Sequence, residues 1–230
     1  MRVLRGRADR ERDRELTAVL AERAAEEDEP GLRVWTPHKQ IAFGRRDVRA
    51  DGYQQARELA IEHGYPPVER STGGRAVAYT GRTVGFVLVQ PIDDIRHGLA
   101  ERYERATETA QRALWRLGVP AQRGEPDDAF CPGNHSLQWN GKIVGIAQRV
   151  RRDVATVGGI VVTDGHRAIG DVLAPIYDRL DIPFDPDSVG SIELAGGNYD
   201  PDAVVDTFID LFTEGHQPTV ESVGDAEIME

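Results

Sequence analysis

The sequence predicts a single α+β domain, and three observations carry that reading. Segments of helical period alternate with clusters of two or three short strands, rather than with single strands as in a βαβ array. The chain has 230 residues, of which 40% are apolar, enough for one core. No internal repeat and no Pro/Gly-rich linker divides it. The elements follow in order. Residues 11–28 carry Leu16, Val19, Leu20 and Arg23 at helical spacing, and Pro30-Gly31 ends that helix. Leu32–Trp35 and Gln40–Phe43 read as short strands around a turn at Pro37, and Gly52–His63 as a helix broken by Tyr65-Pro66-Pro67. Ala76–Tyr79 and Val84–Gln90 read as strands joined by a turn at Gly81. Gly98–Leu117 is the longest helix, with Leu99, Tyr103, Ala106, Ala110, Ala113, Leu114 and Leu117 on one face. Ser136–Trp139, Lys142–Val150 and Ala155–Val162 form a strand meander, followed by helices over Ala168–Leu180 and Asp202–Phe212. The domain is expected to span 1–215, with 216–230 a polar, loose tail.

Composition excludes several classes. No run of eighteen apolar residues is present, so no membrane span is expected. Residues 1–15 alternate charges without an apolar stretch, unlike a signal peptide. The net charge of −11 disfavours nonspecific nucleic-acid binding. A single cysteine, Cys131, excludes an internal disulfide and suggests a reducing cytoplasm.

Of 28 basic residues only Lys39 and Lys142 are lysines. Lys142 sits in the apolar stretch Gly141-Lys142-Ile143-Val144-Gly145-Ile146-Ala147-Gln148-Arg149, where a charge needs a partner. Lysine is a compact point charge with rotatable donors, suited to one carbonyl or phosphate oxygen. Its alternative role is a strand-edge lysine whose head reaches water. Two further places draw attention. In Arg70-Ser71-Thr72-Gly73-Gly74-Arg75-Ala76-Val77 the paired glycines permit positive φ and close backbone approach, and the arginine forks suit a phosphate or carboxylate. An ordinary hairpin turn explains the same residues. In Cys131-Pro132-Gly133-Asn134-His135 the cysteine and histidine are candidates for a nucleophile–base pair, for two metal ligands short of a full set, or for a buried apolar thiol with no chemistry. Thr156-Val157-Gly158-Gly159-Ile160 adds a second glycine pair that a substrate or backbone can approach.

Together and in this order, these segments resemble the biotin/lipoate protein ligase superfamily on its lipoate and octanoate side. Arg70–Val77 matches the family's Arg-x-Ser/Thr-Gly-Gly-Gly/Arg-Ala-Val segment. Gly141–Arg149 matches its Gly-x-Lys-x-x-Gly-x-Ala segment, which places the ligase lysine on Lys142. The likeness covers roughly residues 10–180. It implies a mixed, largely antiparallel sheet with packed helices. It also implies binding roles for Arg70, Ser71, Thr72, Gly73, Gly74, Arg75, Ala76, Gly145, Gly158 and Gly159, and no resident metal among the protein's own ligands. Two departures and one further match matter. Tyr79 replaces a frequent histidine. His135-Ser136-Leu137 replaces Asn-Asp-Leu, so the acid linked to Mg-nucleotide is missing. Cys131 lies in the loop where one class of octanoyltransferases has its catalytic cysteine.

Three functions follow from the resemblance. The first is a lipoate-protein ligase that uses ATP and Mg to form a lipoyl- or octanoyl-adenylate. Lys142 would contact its carbonyl and phosphate oxygens, and the acyl slot would come from Val77, Val87, Ile143 and Val144. The acceptor is a lysine on a lipoyl carrier domain of 2-oxoacid dehydrogenase or glycine-cleavage type, with a separate accessory ligase chain in some relatives. The second is an ATP-independent octanoyl or lipoyl transferase with Cys131 as nucleophile. The third is a non-catalytic binder of the acyl ligand or lipoyl domain.

The acid excess with almost no lysine is the composition of a protein suited to a high-salt cytosol, where salt screens self-repulsion. The melting temperature is therefore expected to rise as KCl is raised towards molar levels; a steady fall would refute this adaptation.

Overall fold

A computed structural model describes residues 1–70, 73–151 and 153–223. Two sheets carry the fold. The larger has strands β1 (Arg2–Arg5), β2 (Gly31–Trp35), β6 (Val84–Pro91), β7 (Gln122–Arg123), β8 (Ser136–Gln138), β9 (Lys142–Val150), β10 (Val154–Val161) and β11 (Thr219–Ser222), in the order β11-β1-β2-β6-β10-β9-β8-β7. The smaller has β3 (Gln40–Phe43), β4 (Pro67–Glu69) and β5 (Val77–Tyr79), in the order β4-β3-β5. The helices are α1 (Arg10–Glu27), α2 (Tyr53–Glu62), α3 (Leu99–Arg116), α4 (His166–Arg179) and α5 (Pro201–Phe212). The large sheet is mixed: β1 runs parallel to β2 and β11, and the remaining pairs are antiparallel.

Strand alternation divides the core into two layers. Leu32, Val34, Phe86, Leu88, Val157 and Val161 face α3 and α5, where Phe86 packs against Phe208 and Phe212 at ring distances of 5.6 and 5.2 Å. The opposite face is covered by α1 and by the small sheet with α2 and α4. An ion pair fastens α1 to that face. The Arg33 guanidinium, fully buried on β2, contacts the Asp13 carboxylate and donates to the Asp13 carbonyl at 2.8 Å, with its guanidinium 4.1 Å from the centre of the Trp35 ring. Burial lowers the Arg33 pKa and Asp13 opposes that shift. Removing either partner leaves a buried charge alone.

The helices fall where periodicity puts them, but the structure differs from expectation in three places. The strands on either side of Gly81 do not pair: β5 joins β3, and β6 joins β2 and β10. Leu99, expected on the buried face of α3, is exposed at the helix's first turn. The expected loose tail supplies β11 at 219–222, which hydrogen-bonds to the edge of β1 and so extends the sheet beyond residue 215. Residues 224–230 lie outside the described residues.

Gly159, on β10, is packed tightly against the two strands that flank it. A Cβ there would lie 2.5 Å from the Phe86 ring and 2.9 Å from the Gly145 carbonyl. Gly159→Ala is expected to cost about 1–3 kcal/mol in urea unfolding, as overpacking does. Gly133→Ala, whose Cβ meets nothing within 4 Å, is expected to stay near wild type.

Candidate functional site

The pairing register builds a cavity floor from small residues. Across β9, β10, β6 and β2, Ala147, Gly158, Val87 and Arg33 form one row, and Gly145, Ile160, Gly85 and Trp35 the next. Absent side chains at Gly145 and Gly158 leave a trough between the sheets. The small sheet roofs it with Gln40, Ala42, Val68, Val77 and Tyr79, and α1 adds Asp13 and Thr17. The resulting cavity has a volume of about 380 Å³, the size that holds a small organic ligand. Its lining includes Arg70, Phe130, Cys131, Gly145, Gly158 and Gly159.

Cys131 is held from three sides. Its backbone has φ +45°, a left-handed conformation that costs a non-glycine residue about 1 kcal/mol or more. The Cys131 amide donates to the Tyr177 hydroxyl at 2.7 Å, which donates in turn to the Ala76 carbonyl at 2.8 Å. Burial raises the Tyr177 pKa well above its ordinary value, and the neighbouring Cys131 adds to the shift, so the phenol stays a donor. The Cys131 carbonyl accepts from Lys142 Nζ at 2.9 Å, and the Phe130 carbonyl accepts from the same ammonium at 3.0 Å. Lys142 is fully buried and pairs with the Glu125 carboxylate at 2.8 and 3.0 Å. It does not reach water at the strand edge, and it is absent from the cavity lining. Its contacts belong to the turn that presents the sulfur.

The sulfur faces Arg70. Arg70 Nη2 donates to the Arg75 carbonyl at 2.6 Å and lies 3.4 Å from Cys131 Sγ. Burial works against the Arg70 charge, but the facing Cys131 and Tyr79 favour it, and its pKa lies above the ordinary value. Gly74, at φ +91°, makes this approach possible: a Cβ there would stand 2.5 Å from Cys131 Sγ and 2.9 Å from Arg70 Nη2. Tyr79 completes the cluster, its pKa raised by burial against the pull of Arg70.

Other expectations are corrected by position. The left-handed glycine of the pair is Gly74 and not Gly73, where a Cβ would meet nothing within 4 Å. Arg75 turns to the buried Asp47 at 3.3 Å and does not line the cavity. Ala76 is buried and contributes its carbonyl to Tyr177. Ser71 and Thr72 lie outside the described residues. Of the expected acyl slot, Val77 and Val87 line the cavity, whereas Ile143 and Val144 pack into the core beneath α3 and α5. His135 does not face the sulfur as a base. It stacks on Tyr103, with ring centres 3.9 Å apart, and burial lowers its pKa. Sequence reasoning missed Glu125 and Tyr177, which lie 17 residues before Lys142 and 46 residues after Cys131, with no spacing signal to either.

The family model of the lipoyl protein ligase A/B catalytic domain matches residues 14–213. Among curated relatives, an Octanoyl-[GcvH]:protein N-octanoyltransferase of Exiguobacterium sp. is 29% identical over 149 residues, covering 64% of this chain and 53% of that protein. A Lipoyl-[GcvH]:protein N-lipoyltransferase of Listeria monocytogenes is 28% identical over 141 residues, covering 59% and 49%. The chain spans about half the length of the curated relatives it matches. A solved structure of lipoate-protein ligase A bound with ATP superposes with a TM-score of 0.74 at 19% identity, covering 96% of this chain and 88% of the other, a likeness of fold.

Mutual dependence of Lys142 and Glu125 is open to a double-mutant cycle. Glu125→Gln is expected to destabilise by about 3 kcal/mol, because it leaves the fully buried Lys142 charge alone, and Lys142→Met by less, because the Glu125 carboxylate is partly exposed. The double variant should lose less than the sum by about 1 kcal/mol or more. Strict additivity in urea unfolding would mean that the two side chains do not depend on one another.

Proposed function

The chain belongs to the lipoyl protein ligase A/B catalytic-domain family, and on that footing we propose that it is an acyltransferase. It moves an octanoyl or lipoyl group from one lipoyl carrier protein to a lysine of another through a thioester on Cys131. The observation that carries this reading is the Cys131 sulfur at the cavity wall, with a guanidinium 3.4 Å away and a glycine opposite. The names of the curated relatives point the same way, since they describe transfer from a glycine-cleavage carrier to protein nitrogen.

The chemistry uses residues described above. The thiolate is the nucleophilic form of a cysteine, and the Arg70 guanidinium stands 3.4 Å from the Cys131 sulfur. The acyl tail lies along Gly145, Ala147 and Gly158, where apolar burial stabilises it. The thiolate attacks the acyl carbonyl, a carbon–sulfur bond forms, and the carbon–nitrogen bond to the donor lysine breaks as its amine takes a proton from water. The acceptor lysine amine then attacks the thioester and gives up a proton to the hydroxide left by the first step, the carbon–sulfur bond breaks, and the thiolate returns. Lys142 and Glu125 act through the turn: they fix Cys131 in its left-handed conformation.

ATP-dependent adenylation fits these residues less well. Ser136, aligned with the missing acid, is buried and donates to the Gly133 carbonyl at 3.2 Å. The Lys142 ammonium is already occupied by a carboxylate and two carbonyls. An exclusively binding role leaves the Arg70–Cys131 contact without purpose.

The test is mass spectrometry of a lipoyl carrier domain incubated with octanoylated glycine-cleavage-type carrier, without ATP. Wild type is expected to transfer the octanoyl group and to accumulate a thioester adduct on Cys131. Cys131→Ser should lose more than about a thousandfold in rate, as expected for loss of a nucleophile. A Cys131→Ser protein that modifies the carrier when supplied with ATP, Mg and octanoate would return the chain to the ligases.

A further inference from the structure

A cluster of arginines borders the cavity without carboxylate partners. Arg149 lies on β9 directly across from Thr156, which lines the cavity. Arg151 follows two residues later at the exposed end of that strand, its amide donating to the Val154 carbonyl at 2.8 Å. Arg45 approaches from the small-sheet side, next to Gly44, which packs so tightly on the turn that a Cβ would fall 2.0 Å from the Gly74 carbonyl. None of the three forms an ion pair with a described residue. Arg149 Nη1 is buried with no hydrogen-bond partner among the described residues. Desolvation first, then repulsion from Arg151 and Arg45, lowers the Arg149 pKa, and no carboxylate acts on it.

This arrangement runs against the composition. The chain carries 39 acidic residues against 28 basic ones, so an acidic neighbour is more common than a basic one. Three like charges gathered at one rim cost self-repulsion, and a partner of opposite sign removes that cost. Charge complementarity also sets approach and register between partners.

Resting on the transferase reading, we propose that Arg45, Arg149 and Arg151 form the docking surface for an acyl carrier whose face around the acylated lysine is acidic. An extended set of carboxylates on a folded domain fits the observations better than a single small anion. Arg45 and Arg151 are exposed and follow strands of different sheets, β3 and β9, so they span a surface rather than close on one ligand. Only the carrier's lysine-linked acyl arm enters the cavity, and the acidic surface stays at the rim.

The experiment compares two donors. One is octanoylated glycine-cleavage-type carrier; the other is octanoyl-N-acetylcysteamine, a small uncharged thioester. Arg45→Glu, Arg151→Glu and the double variant are assayed with both, from low to high KCl. The double variant is expected to raise KM for the carrier about tenfold or more, to leave kcat unchanged, to weaken the salt dependence, and to turn over the small thioester at the wild-type rate. Direct binding of the octanoylated carrier, followed by fluorescence anisotropy with Cys131→Ser protein, should weaken by the same factor. Unchanged carrier affinity in the double variant overturns the docking surface. Equal loss with the small thioester overturns it too, because the arginines would then serve the cavity itself. Competition by inorganic phosphate at millimolar concentration would identify a small-anion site instead. If neither donor is consumed by wild type, the transferase reading fails on its own, and the binding measurement still decides the docking surface.

Discussion

One buried ammonium organises this structure. Lys142 has no exposed surface, and a charge in that position is tolerable only if its donors are matched. They are matched by Glu125 and by the carbonyls of Phe130 and Cys131. Those two carbonyls belong to the turn that carries the chain's single thiol. Satisfying the lysine and shaping the turn are therefore the same event. The unfavourable φ of Cys131 persists because two charge-assisted bonds and the Tyr177 hydroxyl over-determine it. An arginine at 142 would bring a longer, planar group into the same fully packed space and could not present one nitrogen to both carbonyls in this way.

The second constraint is negative: the site exists where side chains are missing. Gly145 and Gly158 leave the trough, Gly159 lets the sheet close over Phe86, and Gly74 admits the sulfur beside Arg70. These four glycines lie on three different segments, and the cavity needs all three brought together. A pattern of isolated glycine pairs thus becomes a single cavity only when the register aligns Ala147, Gly158 and Val87.

What was legible in the sequence follows from that distinction. Helices α1 to α5 were readable because their apolar faces recur within the segment, and β3 and β9 were readable to the residue. Gly74, Arg70, Lys142 and Cys131 stood out through local composition and a family pattern. Partner choice was not legible. The Gly81 turn looks like a hairpin, yet β5 and β6 enter different sheets, because the separation of the two sheets is what opens the cavity. Strands β1, β4, β7 and β11 are four residues long or fewer and have no periodicity to read. Arg75 shares its local signature with Arg70, and only the buried Asp47 distinguishes them. His135 was drawn to Cys131 by nearness in sequence, whereas the fold stacks it on Tyr103.

The cavity's far wall shows how polarity and packing jointly define an apolar space. The floor changes from glycine and alanine to Val87 and then to Arg33 as it crosses from β9 to β2, three strand spacings or about 14 Å. Arg33 is wholly buried, but Asp13, its partner, lines the cavity beside Thr17. An apolar occupant gains free energy along the small-residue floor and loses it on reaching the carboxylate, which must keep its solvation or its arginine. The boundary is thus electrostatic rather than only steric. Because the same ion pair fastens α1 to β2, the residue that limits the cavity is also one that holds its roof. A substitution that lengthened the apolar floor through Asp13 or Arg33 would free α1 from the sheet at the same time.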